Sequence, residues 1–326
     1  MIAAKLTKQI PSLSIKKVNP PKPEPGESLI DVRYAALNKR DDWILKGKYP
    51  GIESSVILGS DGMGYTHATG ERVLINPGNK WGENERVQES DFFITGMPHA
   101  GTFAQQIAVL DSHIYPVPEY LSDIEAAALP LAGVTAFRAL FSRGDLGYGE
   151  KILIAGAGGG VSSIGIKMAL AAGAEVFVNS SSDEKIKKAI SWGCQAGWNY
   201  KENADWAKDC LDETGGVDMV LDSAGGKTIS DYIQILRPGG RLVFYGATLG
   251  PWERVQAAKI YYRQIDLRGS TMGSNTDFKK MLDFVTAHQI RPHVDRIFDL
   301  EDIHDAFSRL NDPKSFGKIV IKIPIS

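Results

Sequence analysis

The spacing of hydrophobic positions along this chain changes near residue 120, and the change predicts two kinds of structure. Up to that point, short apolar or alternating runs lie between turn-forming residues, which is typical of β-strands. The clearest of these predicted strands span residues 28–34, 71–75 and 105–109. From about residue 122, apolar runs alternate with helical patterns, and this alternation predicts a parallel, doubly wound α/β sheet.

The second region contains a regular succession of predicted strands and helices. Strands are predicted at 151–155, 175–178, 217–222 and 241–245. A helix is predicted over 124–140, interrupted near its proline and glycine, and residues 238–240 (Pro-Gly-Gly) predict a turn. A helix at 276–288 and a final strand at 318–323 return to the pattern of the first region.

A glycine-rich turn follows the strand at 151–155. Residues 156–161 read Gly-Ala-Gly-Gly-Gly-Val, and a helical pattern then continues to residue 172. Glycines let backbone N–H groups approach a pyrophosphate, and the positive end of the helix favours its charge. With the strand at 175–178 the segment forms a βαβ unit, which predicts a dinucleotide site, although Val161 stands where a third glycine would fall. A tight turn without a ligand is the alternative.

The tip of the second strand indicates which dinucleotide binds. Residues 179–182 read Asn-Ser-Ser-Ser, without the carboxylate that usually holds the ribose hydroxyls of NAD. Ser181 and Lys185 suit a 2′-phosphate through charge-assisted hydrogen bonds, so the sequence favours NADPH over NADH. The alternative is a solvated serine-rich helix cap, with Ser182 or Asp183 as the capping residue.

Composition excludes several classes of partner. The chain has 326 residues, with 37 Lys and Arg against 39 Asp and Glu, so nothing marks it for nucleic acid or an anionic membrane. Neither a signal peptide nor an apolar run of about 18 residues is evident. Cys194 and Cys210 suit ordinary thiols in a reducing compartment, and we expect a cytoplasmic protein.

Several sequence blocks together resemble one family. They are residues 35–41 (Ala-Ala-Leu-Asn-Lys-Arg-Asp), 58–64 (Leu-Gly-Ser-Asp-Gly-Met-Gly), 101–104 (Gly-Thr-Phe-Ala), 126–136 and the glycine turn at 156–162. In this order and spacing the chain resembles the medium-chain dehydrogenase/reductase superfamily, specifically its zinc-independent, quinone-oxidoreductase-like branch. The resemblance covers nearly the whole chain. Ser162 replaces the last glycine of the family's turn.

The resemblance implies an α/β fold with two domains. A GroES-like catalytic domain, a distorted β-barrel, would comprise residues 1–121 and 271–326, and a Rossmann dinucleotide-binding domain would comprise residues 122–270. The active cleft would lie between them. The family usually dimerises through the edge strand of the nucleotide domain, so the resemblance also implies a homodimer.

The resemblance also implies a set of functional residues. Asn38 and Asp41 would be catalytic. The cofactor would be bound by Asn38, Thr135, Gly158, Gly159, Gly160, Val161, Ser181, Lys185, Tyr200, Gly246, Ala247, Thr271, Met272 and Lys318. Each of these residues also has a purely structural alternative. Asn38 could be a turn residue, Asp41 a surface acid and Tyr200 a core aromatic, and the segments around 246, 271 and 318 could be domain-hinge turns.

Metal-using members of the superfamily hold zinc with a cysteine where Asn38 stands and a histidine where Ser60 stands, so we expect no metal here. Without a Lewis acid, reduction of an electrophilic small molecule is the more natural reaction. The sequence thus predicts an NADPH-dependent reductase of quinones or α,β-unsaturated carbonyls. The alternatives are a metal-free alcohol or aldehyde dehydrogenase and a weakly catalytic NADPH-binding redox sensor.

Overall fold

The computed structural model describes residues 1–7 and 12–325. The strands are β1 (Ile2–Leu6), β2 (Leu13–Lys17), β3 (Glu27–Ala36), β4 (Asp61–Thr66), β5 (Arg72–Ile75), β6 (Gly78–Asn79), β7 (Phe93–Ile94), β8 (Gln106–Leu110), β9 (Ile114–Pro116), β10 (Lys151–Ile154), β11 (Glu175–Ser180), β12 (Ala196–Asn199), β13 (Val217–Asp222), β14 (Leu236–Phe244), β15 (Asp266–Gly269), β16 (Val294–Asp299) and β17 (Lys318–Lys322). The α-helices are α1 (Lys39–Leu45), α2 (Asp123–Ala127), α3 (Pro130–Phe137), α4 (Gly160–Ala171), α5 (Asp183–Ser191), α6 (Trp206–Thr214), α7 (Ile229–Ile235), α8 (Ala257–Tyr262), α9 (Asn275–Ala287) and α10 (Ile303–Asn311).

The chain divides into two compact units. Unit 1 comprises Met1–Val134 and Gly273–Ser326, and unit 2 comprises Thr135–Met272. The expected domains, residues 1–121 with 271–326 and residues 122–270, stay a prediction. No helix among the described residues is long and apolar enough to cross a membrane.

Unit 2 is built on a parallel sheet with the strand order β12-β11-β10-β13-β14-β15. The chain starts at β10, moves outward to β11 and β12, and then returns to β13 on the other side of β10. Because the order reverses at β10 and β13, their carboxyl ends mark the crevice where such sheets bind ligands. The predicted doubly wound α/β sheet is confirmed.

Two predicted features of the α/β region are present with altered limits. Residues 238–240, where a turn is predicted, lie within β14, but the residues that pair with β13 are on either side of them, Leu236 and Arg241, and Gly239 has φ +76°. An irregular strand can absorb such a left-handed glycine without ending. The helix expected over 124–140 is split into α2, α3 and a π-helical turn at Arg138–Ser142, with Pro130 beginning α3.

Unit 1 contains a mainly antiparallel sheet in the order β16-β17-β3-β4-β5-β9, with β8 also paired to β3. The long strand β3 pairs with β17, β4 and β8. It therefore brings β17, the last strand of the chain, close to β4, which comes from the first third of the sequence. Its apolar side packs into a core that includes Ile30, Val32, Phe103 and Ile321. This arrangement places the start of β17 beside residues 36–38 and the start of β4.

Candidate active site

The glycine turn of unit 2 is fixed by the neighbouring strand β11. Gly156 has φ +67°, a conformation that favours glycine. Its N–H donates to Asn179 Oδ1 at 3.0 Å, and the N–H of Ala157 donates to the Asn179 carbonyl at 3.0 Å. Ser162, in the first turn of α4, donates to the Ala155 carbonyl at 2.8 Å. The buried Asn179 side chain therefore holds the turn in place, a role that the sequence pattern did not reveal.

The turn has the shape and charge that a dinucleotide needs. A Cβ at Gly158 would lie 2.7 Å from Lys185 Cδ and 2.9 Å from its Nζ, so the lysine ammonium lies directly beside this glycine. Gly159 precedes α4 as its N-cap residue and is exposed, and Gly160 and Val161 form the start of that helix. Backbone N–H groups, a helix N-terminus and a cation beside them together suit a phosphate anion.

The residues expected near the adenosine ribose follow the carboxyl ends of β11 and β12. Ser181 is partly exposed and directly follows the strand, and Tyr200 is 44% exposed beyond β12. Tyr200 is thus not the buried core aromatic of the alternative interpretation, and its N–H donates to the Ser180 carbonyl at 3.1 Å. The nearby Asp183 carboxylate accepts a hydrogen bond from Asn199 Nδ2 at 2.8 Å. Ser182 is the N-cap residue of α5.

The carboxyl end of β13 carries a buried acid. Asp222 accepts hydrogen bonds from the N–H groups of Ala224 and Gly225, at 2.9 and 3.0 Å, and from the Tyr232 hydroxyl at 3.2 Å. Burial raises the pKa of the Asp222 carboxyl, and the three donors oppose that rise. These contacts hold the start of the loop after β13, at the carboxyl end of that strand.

The remaining cofactor residues predicted in unit 2 lie in two places. Gly246 and Ala247 follow β14, directly beyond its carboxyl end. Thr135 and Met272 are buried, with Thr135 Oγ1 3.9 Å from Met272 Sδ. Met272 has φ +41°, which is uncommon for a residue other than glycine. Thr271, next to it, is exposed.

In unit 1, Lys318, the first residue of β17, forms a buried ion pair with Asp61 inside a polar network. Lys318 Nζ donates to the Leu37 carbonyl (2.8 Å), to Asn38 Oδ1 (2.6 Å) and to Asp61 Oδ2 (2.8 Å). Asp61 Oδ2 also accepts from Asn38 Nδ2 at 2.8 Å, and its Oδ1 accepts from the Leu131 N–H at 2.6 Å. Lys318, expected near the cofactor, thus uses all three ammonium hydrogens within unit 1. That expected cofactor role stays a prediction.

A second pair of charges adjoins this network at the start of α1. Asp41 Oδ2 accepts from the Asn38 N–H at 2.8 Å, and its Oδ1 lies 3.8 Å from Arg40 Nη1. Arg40 Nη1 in turn donates to Ser60 Oγ at 2.5 Å and to the Thr95 carbonyl at 3.0 Å. Burial raises the pKa of Asp41 to about 6, while Arg40 and the Asn38 N–H oppose the rise. Asp41 is therefore an interior acid rather than the surface acid of the alternative interpretation.

The residues of this network do not fit a zinc ion. Zinc requires several thiolate, imidazole or carboxylate ligands, and no group of three His, Cys, Asp or Glu is arranged to hold a metal in the described part of the chain. Asn38 and Ser60 offer only an amide and a hydroxyl. Of the two carboxylates beside them, Asp61 is already saturated by Lys318, Asn38 and Leu131, and Asp41 accepts from the Asn38 N–H and lies next to Arg40. The Lys318 ammonium group also donates to Asn38 Oδ1 and Asp61 Oδ2, the side-chain oxygens that a metal would need as ligands.

The chain matches two protein-family models in the expected places. Residues 24–119 match the alcohol dehydrogenase GroES-like domain, and residues 160–287 match the zinc-binding dehydrogenase family. The first match covers most of the unit 1 sheet. The second begins at Gly160, where α4 starts at the end of the glycine turn, and covers β11 to β15 of the parallel sheet. The predicted GroES-like and Rossmann folds are thereby confirmed.

Relatives of known name or structure align along nearly the whole chain. Zinc-type alcohol dehydrogenase-like protein YogA from Leptosphaeria maculans is 35% identical, covering 95% of this chain and 94% of its own length. Quinone oxidoreductase-like protein 2 from Bos taurus is 28% identical, covering 95% and 89%. A crystal structure of an NAD-dependent alcohol dehydrogenase superposes with a TM-score of 0.93 at 30% identity, covering 99% of this chain and all of the other.

A glycine turn for a dinucleotide, joined in one chain to a GroES-like domain, defines an NAD(P)-dependent oxidoreductase acting on small molecules. The chain belongs to the medium-chain dehydrogenase/reductase superfamily. Within unit 1 the structure brings together the predicted residues Asn38, Asp41 and Lys318. It adds Arg40 and Asp61, whose roles depend on contacts distant in sequence.

Proposed function

We propose that this protein is an NADPH-dependent, zinc-free reductase that transfers hydride to a quinone or an α,β-unsaturated carbonyl, as in the quinone-oxidoreductase-like branch of its superfamily. The observation that carries the proposal is the hydrogen-bonded network of Lys318, Asn38 and Asp61. A saturated ammonium–carboxylate pair supplies no open coordination position, so an alcohol substrate would gain no Lewis-acid activation. An acceptor that is already electrophilic needs none.

The two units have separate tasks in this proposal. The bound nicotinamide supplies the hydride chemistry. In unit 2, the glycine turn and the first turn of α4 bind the diphosphate, Lys185 neutralises phosphate charge, and Ser181 and Tyr200 lie along the adenosine end. Gly246, Ala247, Thr271, Met272 and Thr135 are proposed for the nicotinamide end. In unit 1, Asn38 and Asp41 keep the polar network in place beside the acceptor. The homodimer stays a prediction.

Turnover with a panel of acceptors tests the function. We expect NADPH oxidation with 1,4-benzoquinone and with a simple enone, and none with saturated aldehydes. We also expect no NADP⁺ reduction with primary or secondary alcohols. Alcohol oxidation would favour the metal-free dehydrogenase alternative. NADPH binding without turnover of any acceptor would favour the redox-sensor alternative.

Lys185→Ala should weaken binding of NADPH far more than binding of NADH. The lost charge-assisted contact is worth about 1.5–3 kcal/mol, which corresponds to roughly ten- to a hundredfold in Kd. Titration of both cofactors by fluorescence measures the effect. Lys187→Ala, at an exposed position of the same helix α5, is the matched control and should change neither Kd. Equal weakening of both cofactors would refute the 2′-phosphate assignment, a sharp test because one relative is NAD-dependent.

The purified protein should contain no stoichiometric zinc, because its donor set does not fit the metal. Elemental analysis after expression in zinc-supplemented medium measures the content directly. Chelator treatment should leave both the thermal unfolding temperature and NADPH oxidation unchanged. About one tightly held zinc per chain, with activity lost on its removal, would overturn the zinc-free proposal.

Asn38→Ala should impair acceptor turnover moderately while preserving the fold. Both ends of the Asn38 amide have partners within unit 1, so the loss reflects a less ordered Lys318–Asp61 pair. A neutral hydrogen bond is worth about 0.5–1.5 kcal/mol, so we expect a fall of about two- to twelvefold in kcat/KM. Unchanged kcat/KM for several acceptors would leave Asn38 as the N-cap residue of α1 and nothing more.

A further inference from the structure

Two neighbouring side chains in unit 1 have buried polar atoms without a hydrogen-bond partner. In the described residues, Arg40 Nε and Asp41 Oδ1 are both buried and make no hydrogen bond. The Arg40 side chain is 9% exposed and that of Asp41 is fully buried. Buried polar groups nearly always have a hydrogen-bond partner. A buried donor and a buried acceptor in adjacent residues, both without a partner, therefore need a physical explanation. A bound group carrying an oxygen atom would satisfy the donor.

The position of Arg40 is set by its other contacts. One end of the guanidinium is anchored, because Nη1 donates to Ser60 Oγ and to the Thr95 carbonyl. The Tyr49 ring lies over it, with its centroid 5.0 Å from Arg40 Cζ. Ser60 and Thr95 are buried, so this cation is held rather than solvated. A fixed guanidinium edge with a free N–H is suited to bind an oxygen with developing negative charge.

The other polar groups of the network are less available. Lys318 has three short hydrogen bonds, and each end of the Asn38 amide has a partner within the network. Asp61 and Asp41 are acidic and would repel an oxyanion. Arg40 is therefore the cation of this cluster that retains an unused donor in a buried position.

We propose that Arg40 is a catalytic residue whose Nε–H binds the carbonyl oxygen of a planar, conjugated acceptor. The inference rests on the proposed function and deepens it by naming the group that holds the acceptor. Hydride addition to the β-carbon of an enone shifts the C=C π pair to form a double bond between the α-carbon and the carbonyl carbon, and the C=O π pair moves onto that oxygen. Arg40 then stabilises the enolate until water protonates the α-carbon, which completes the two-electron reduction. The adjacent Tyr49 ring offers an apolar surface for a flat substrate.

A chromophoric enal tests carbonyl binding without turnover. The absorption band of 4-(dimethylamino)cinnamaldehyde moves to longer wavelength when positive charge approaches its carbonyl oxygen. We expect this shift when the wild-type protein binds the dye, with and without NADP⁺, and its loss in Arg40→Met. The control is Arg33→Met, because Arg33 also lies over a tyrosine ring, 5.7 Å from the Tyr65 centroid, and should keep the shift. Bound dye without a shift, or no dye binding by the wild-type protein, would overturn the inference.

Kinetics supply the second readout. Arg40→Met should lower kcat/KM for enones and quinones about ten- to a hundredfold, while the Kd for NADPH is unchanged. Arg40→Lys should lose less, since it keeps the charge, and added guanidinium ion, but not urea, should partly rescue Arg40→Ala. Full activity in folded Arg40→Met would refute the role of Arg40 and leave the proposed function standing. A dye shift that depends on Arg40, without turnover of any acceptor, would support carbonyl binding by Arg40 and refute the proposed function.

Discussion

Replacing Lys318 with methionine is expected to lower the free energy of unfolding by about 3–5 kcal/mol. Lys318 is 3% exposed and Asp61 is fully buried, so the substitution leaves a carboxylate in the interior of unit 1 without its cation. The Asn38 and Leu131 donors remain, but they compensate only part of the charge. Urea-induced unfolding followed by circular dichroism at neutral pH measures the change.

Two further variants separate the buried pair from ordinary surface charge. Lys279→Met removes the cation of an ion pair whose side chains are 68% and 65% exposed, and it should cost less than about 1 kcal/mol. The double variant Lys318→Met/Asp61→Leu removes both charges and should regain part of the lost stability, because no buried charge is left without its counterion. The recovery should be incomplete, because the Leu131 N–H and the Asn38 amide lose their partners. A cost for Lys318→Met no larger than that for Lys279→Met would show that the pair is not a source of stability.

The parts of the fold that the sequence predicts are those encoded locally. The strand predicted at 217–222 coincides with β13, and the glycine turn lies between β10 and α4 as its pattern indicates. A run of apolar residues predicts a strand, and a glycine cluster predicts a turn, because both conformations depend on residues close in the chain. At 238–240 the predicted turn lies inside β14, because pairing with β13 resumes at Arg241 and extends the strand past the left-handed Gly239.

The parts that sequence patterns did not reveal depend on distant contacts. Lys318 and Asp61 are 257 positions apart, and only the pairing of β3 with both β17 and β4 brings them together. Asn179 looked like part of a polar strand tip, yet its side chain supports Gly156 from the neighbouring strand. Arg40 lies inside a family-like block, but the role proposed for it rests on a buried Nε atom without a hydrogen-bond partner, which no sequence pattern reveals.

The contribution of Asp41 to the stability of the protein should fall as pH rises from about 4 to about 6, because Asp41 titrates in that range. Burial raises the pKa of Asp41 from 3.8 to about 6 in the folded protein. Between these values the folded state binds more protons at Asp41 than the unfolded state, so the free energy of unfolding decreases with pH. About two pKa units correspond to about 3 kcal/mol. The penalty is complete above pH 6 and absent well below pH 4.

Asp41→Asn isolates this contribution, because asparagine carries no charge at any of these pH values and keeps an oxygen for the Asn38 N–H. Relative to wild type, the variant should gain about 3 kcal/mol of unfolding free energy between pH 4 and pH 7. Other titrating groups are common to both proteins and cancel in the difference. Asp283→Asn is the control, because a carboxylate that is 65% exposed is solvated in both the folded and the unfolded state.

Parallel pH profiles for wild type and Asp41→Asn would mean that Asp41 stays ionised throughout. Arg40 would then pair with it more strongly than their 3.8 Å separation indicates, and less of its charge would be left for an acceptor.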